Sequence, residues 1–167
     1  MKCVALLACE KLIIDKEGTH SIINVMTNAN ITMQEMEPGG VPRDVATPPS
    51  NAVAPIQWWV YTLWNPSPED VGRSFEQVYQ LYWPNGEKVR EARLPFVQPN
   101  ERLQQSSFSF VGLPVGQPGK VRIVTWVDLD GHSVTDVSET YLYITHNAAM
   151  KGSTGIVTGF SGFVPSN

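Results

Sequence analysis

Nine consecutive residues, Ile56-Gln57-Trp58-Trp59-Val60-Tyr61-Thr62-Leu63-Trp64, are almost all β-formers and put bulky side chains at both odd and even positions. In an extended strand successive side chains point to opposite faces. Trp58, Val60 and Trp64 therefore share one side, and Trp59, Tyr61 and Leu63 share the other. A strand without a solvated face belongs in the middle of a sheet, or shows one aromatic face to a partner.

The rest of the chain repeats the strand pattern at short intervals. Cys3 to Ile14 reads as a first strand, and Asp15-Lys16-Glu17-Gly18-Thr19 turns it into a second from Ser21 to Met33. Residues 35–55 hold Pro38, Gly39, Gly40, Pro42, Pro48, Pro49 and Pro55 and show no period, so a long irregular loop is expected there. Ser67-Pro68-Glu69-Asp70 has a capping hydroxyl, a proline in first helical position and acids in the first turn. Only one helical turn is expected, because Gly72 and the β-rich Val78–Trp83 follow. Pro84-Asn85-Gly86-Glu87 is a strong turn into Lys88–Val97. Leu103–Val111, Lys120–Leu129 and Ser133–Thr145 complete the set, with Phe108 and Phe110 opposite Ser107 and Ser109.

About eight or nine strands without a sustained helix predict an all-β protein, an antiparallel β-sandwich with one short helical turn. Residues 1–147 form a single domain in this reading, and 148–167 are a separate C-terminal arm. In the arm Gly152, Gly155, Gly159 and Gly162 separate Ile156, Val157, Phe160, Phe163 and Val164. It is too glycine-rich for a helix and too apolar for a solvated tail, so it must bury its side chains on its own domain or on another chain, and those five residues are the expected partner-binding set.

Composition narrows the partners. Charged residues make up 17% of the chain against 42% apolar, and the net charge is −4. Lys and Arg are scattered singly, which speaks against a nucleic-acid track. No apolar run approaches the ~20 residues of a membrane span. Near the start, Leu6-Leu7-Ala8-Cys9 resembles a lipoprotein cleavage box. The apolar run before it is at the bottom of the ~7–15 residues of a signal core, and the pattern continues through Ile14 as a strand. A cytoplasmic or virion-associated protein without a recognisable secretion signal is expected. In one unbroken strand Cys3 and Cys9 fall on the same face ~20 Å apart, too far to bridge, and two free thiols fit a reducing compartment.

Catalytic patterns are weak. Asp128-Leu129-Asp130-Gly131-His132 with Glu139 imitates a calcium loop, but His132 and Ser133 stand where an oxygen donor and a glycine belong. Asp-Gly in a hairpin explains the same residues. His20, His132 and His146 lie far apart without metal-ligand spacing. No cofactor is implied and no catalytic or metal-binding residue stands out. An enzyme with dispersed residues such as Asp128, Asp130 and His132 is the weakest reading. Trp58, Trp59, Trp64 and Trp83 could instead form a flat platform for a sugar ring, which makes a carbohydrate or small-ligand module the runner-up.

Cys9-Glu-Lys-Leu-Ile-Ile-Asp-Lys-Glu-Gly18, the Pro-Asn-Gly-Glu turn and Gly119-Lys-Val-Arg-Ile-Val-Thr-Trp-Val-Asp-Leu-Asp-Gly131 resemble a family of uncharacterised bacterial and phage β-sandwich proteins. The resemblance spans most of positions 3–145 and carries no functional residue. It implies a sandwich, and it is compatible with a virion component such as a capsid decoration protein. Low charge, the apolar glycine-rich arm and the missing catalytic motifs make self-assembly or a protein partner the leading expectation, with a glycan second.

Overall fold

The computed structural model describes residues 1–32, 34–36, 42–44 and 48–147. Its strands, in chain order, are β1 (Lys2–Ile14), β2 (His20–Val25), β3 (Asn28–Thr32), β4 (Gln34–Met36), β5 (Pro42–Asp44), β6 (Val53–Asn65), β7 (Ser74–Tyr82), β8 (Lys88–Val97), β9 (Gln104–Pro114), β10 (Gly119–Leu129), β11 (His132–Ser133) and β12 (Ser138–Asn147). Two sheets pack face to face. One runs β2-β1-β6-β9, and the other β3-β12-β10-β7-β8 with β11 on β10. The expected all-β sandwich is what forms. Its ladders are antiparallel except β12–β3, which is parallel.

The aromatic run lies on β6, a central strand between β1 and β9. Trp58, Val60, Thr62 and Trp64 face the second sheet and are wholly buried. Opposite them, β7 contributes Phe75, Gln77, Tyr79 and Leu81, and β10 contributes Val121, Ile123, Thr125 and Val127. Trp58 stacks on Phe110 at 4.9 Å, and Phe108 meets Phe110 edge-on at 4.8 Å. Phe108 and Phe110 thus point inward, as their alternation with serine predicts. A second, smaller core gathers Trp64, Phe75 and Val127 with Cys3 and Phe96 around them.

Several local expectations change. The segment Ser21–Met33 is not one strand: β2 pairs with β1 in the first sheet, and β3 with β12 in the second. The chain crosses between layers at Met26 and Thr27, each held by a backbone bond, Met26 N–H to Ala8 O and Tyr143 N–H to Thr27 O. Within the expected irregular loop, β4 and β5 pair antiparallel from Gln34↔Asp44 to Met36↔Pro42, and β6 already begins at Val53. Three-residue strands are too short to display a period. Cys3 and Cys9 do not share a face either. A bulge between Cys3 and Ala5 shifts the register, so Cys3 pairs with inward Trp64 and Cys9 with outward Trp59.

The single helical turn is there, at Pro68–Asp70. Asp70 closes it by accepting from the Ser67 N–H at 2.7 Å and the Ser67 hydroxyl at 2.8 Å. At the other expected turn, Asp130 and Gly131 both have positive φ, 51° and 81°, between Leu129 and its partner His132. That is the backbone of a two-residue hairpin turn, for which Asp-Gly is preferred.

Candidate functional site

Three regions concentrate polar, aromatic or unpaired groups: the seam between the sheets, the outer face of the second sheet, and the free edge of β9.

The seam is a closed hydroxyl–amide network. Thr62 meets Tyr79 at 2.9 Å and Ser106 at 2.8 Å, and Ser106 meets Tyr79 at 2.9 Å. The Gln77 amide donates to Thr62 at 2.8 Å and Thr125 at 3.0 Å, while its carbonyl accepts from Ser106. Thr125 passes the chain on to the Val78 carbonyl at 2.8 Å. Burial pushes the Tyr79 phenol up to about 12. A hydroxyl becomes a nucleophile only beside a base. This cluster contains no histidine and no carboxylate, and its bonds join the two layers.

The outer face of the second sheet carries charges and aromatics in rows. Arg122 lies 4.4 Å over the Tyr82 ring, and Lys120 lies over Tyr141 and Tyr143 at 5.3 and 5.6 Å. Arg93 reaches Glu76 at 2.6 Å, Glu91 at 2.9 Å and Asp128 at 3.3 Å. Lys88, Gln80 and Arg93 together hold the Glu91 carboxyl down at about 2. Trp126 donates to Asp128 at 2.7 Å. Sequence reasoning missed this face, because its members come from β7, β8, β10 and β12. Many of its polar groups pair with one another, as Arg93 does with Glu76, Glu91 and Asp128.

The tryptophan platform does not assemble. Trp58 and Trp64 are 0% exposed and fill the core. Trp59, on the outer face of the first sheet, and Trp83, past the end of β7 in the second, are half-buried on different layers. Flat contact with one ligand by these four residues is ruled out by their placement.

The histidines stand apart. The His20 ring meets Tyr61 edge-on at 5.6 Å, His146 Nε2 lies 2.6 Å from Val115 O, and His132 is exposed on β11. Among the described residues no group of three or more His, Cys, Asp or Glu could hold a metal ion. Among them, too, no helix is long and apolar enough to cross a membrane.

What remains is the edge of the first sheet. Among the described residues β9 pairs only with β6, and its eleven residues include no charge and no proline before Pro114. Natural edges are normally guarded by charge, proline or brevity. β8, the corresponding edge of the second sheet, has Lys88, Arg90, Glu91, Arg93 and Pro95. The edge strands β2 and β3 are six and five residues long. β9 is neither charged nor short, and its one proline is its last residue, Pro114. Val111 on it is 67% exposed, and nearby Val53 is 51% exposed. Beside this pair a cavity of about 240 Å³ opens between the sheets, lined by Val53, Leu81, Val89, Phe110, Val111 and Pro114. Arg90 stands at its mouth, donating to Val111 O at 3.5 Å.

The expected arm residues Ile156, Val157, Phe160, Phe163 and Val164 lie outside the described residues. No protein family matches the chain, and no curated protein matches it either.

Proposed function

We propose that this chain is a non-enzymatic structural or interaction protein that docks on itself or on a larger assembly. Capsid decoration, or another accessory role in a virion, is a role of this kind. The observation that carries the reading is the edge of β9: a long, uncharged strand that pairs on one side only among the described residues, with exposed valine near its end. An edge of this sort binds extended chains through main-chain hydrogen bonds, with side-chain pockets adding selectivity. The uncharged C-terminal residues 152–167 supply a second adhesive element.

Chemistry at the seam supports the same conclusion, since its hydroxyls have partners but no base. Light scattering of the full chain and of a chain lacking residues 152–167 tests the reading. The full chain should associate, alone or on its scaffold, and the shortened one should stay folded and not assemble. Normal assembly without residues 152–167 would contradict it.

A further inference from the structure

We infer that the occupant of the β9 edge is the C-terminal arm of a second copy of this chain, lying antiparallel along β9 with an aromatic side chain in the adjoining cavity. The inference rests on the assembly reading above and names its partner and its acceptor site.

Four observations converge. The first is the acceptor itself, an edge of eleven residues that its own sheet leaves half-paired. The second is the cavity of about 240 Å³ at the end of that edge, lined by apolar side chains together with Arg90 and the Gly112 backbone, and large enough for a phenyl ring. A groove flanking a free strand is what strand addition uses for selectivity. The third is the chain beyond Asn147. Its last sixteen residues, 152–167, contain no charge, and β-branched or aromatic residues recur between small ones. Such a segment loses nothing by pairing with an uncharged strand, whereas a charged one would be desolvated. The fourth is where that segment starts. β12 ends beside the connector that follows β9, with His146 bonded to Val115 O at 2.6 Å, one residue after Pro114. In a symmetric pair of chains, each arm would therefore leave close to the edge that receives the other's arm.

Complementation tests this directly. One chain carries Val111→Lys and an intact arm; the other carries Phe160→Asp and Phe163→Asp and an intact edge. Val111 is exposed, so its replacement leaves the fold in place, which circular dichroism checks. By sedimentation velocity each variant alone should lose association by at least about tenfold, and a 1:1 mixture should form a heterodimer. Val111→Lys that associates like the parent would overturn the edge as acceptor while leaving the assembly reading intact. An arm variant that still associates, with Val111→Lys abolishing it, would replace the arm by a second β9 as occupant and overturn the inference. A monomeric parent whose β9 amides are protected only when the arm is intact would mean that the arm closes on its own chain, contradicting the second copy. A parent that is monomeric with unprotected β9 amides would contradict the assembly reading as self-association.

Discussion

Thr62 on β6 and Tyr79 on β7 meet hydroxyl to hydroxyl at 2.9 Å in the plane between the two sheets. Each layer supplies half of a polar seam inside an otherwise apolar core, and Gln77, Ser106 and Thr125 complete it. Removing one member strands the others. Thr62→Val keeps the shape but leaves the Gln77 amide and the Tyr79 phenol each short of a partner. It should destabilise the fold by about 2 kcal/mol, read by urea denaturation. Adding Gln77→Leu should cost less than the sum of the two single changes, because the two residues share a hydrogen bond that the first change has already removed.

The same phenol predicts an alkaline limit. Tyr79 is raised from about 10 to about 12 by burial. The unfolded chain therefore releases this proton earlier than the native one, and the native state holds more protons between those values. Stability from this group is fully present below pH 10 and falls as pH rises toward 12, by about 1.4 kcal/mol per pH unit. Tyr79→Phe should be less stable at neutral pH and should show a flatter profile between pH 10 and 12. Equal slopes for the two proteins would contradict the assignment.

His20 and Tyr61 define a bend. His20 pairs with Ile14, whereas Tyr61 pairs with Leu7, positions about 23 Å apart on a straight strand. Their rings are nevertheless 5.6 Å apart. The β1–β2 hairpin must therefore turn back toward Tyr61, and Asn24, with φ 53° and a bond to Glu10 at 2.6 Å, sits where it turns. Tyr61 is buried beneath it although it faces away from the core. Cys9, next to this region on the outward face, is wholly buried and its thiol is raised by desolvation. Both effects suppress the thiolate at neutral pH. Thiol labelling of Cys9 in the native protein should be slow, and Tyr61→Ala should speed it by about tenfold through local opening.

The Asp130-Gly131 turn provides a backbone test. Gly131 has φ 81°, so Gly131→Ala should cost about 1 kcal/mol. Asp130→Asn should leave stability unchanged, because asparagine tolerates the same left-handed geometry. Added calcium should not shift the melting temperature of either variant or of the parent. A calcium-dependent rise that Asp130→Asn removes would revive the ion-loop reading.

What the residues disclose follows the physics of alternation. Large side chains on both faces of Ile56–Trp64 place β6 centrally, and the Phe/Ser alternation orients β9 correctly. Alternation is silent on strand order, so nothing local in Gln104–Pro114 marks it as an edge. The switch of layers at Met26 and Thr27 is equally hidden, because Ser21–Met33 keeps one apolar character while its two halves find different partners. The bulge between Cys3 and Ala5 turns Cys3 away from the face of Cys9 without any glycine or proline to announce it. Alternation separates Trp59 from Trp58 and Trp64, but which of the two faces meets the second sheet, and that Trp83 belongs to the other layer, depends on the assembled sheets.

Hydrogen exchange on residues 104–114 of the full chain, at concentrations spanning the onset of association, tests the β9 edge most directly. The β9 amides should slow with concentration while those of 88–97, on the guarded edge β8, stay constant. Exchange at 104–114 that is identical in dilute and associated protein would show that the edge takes no part in association.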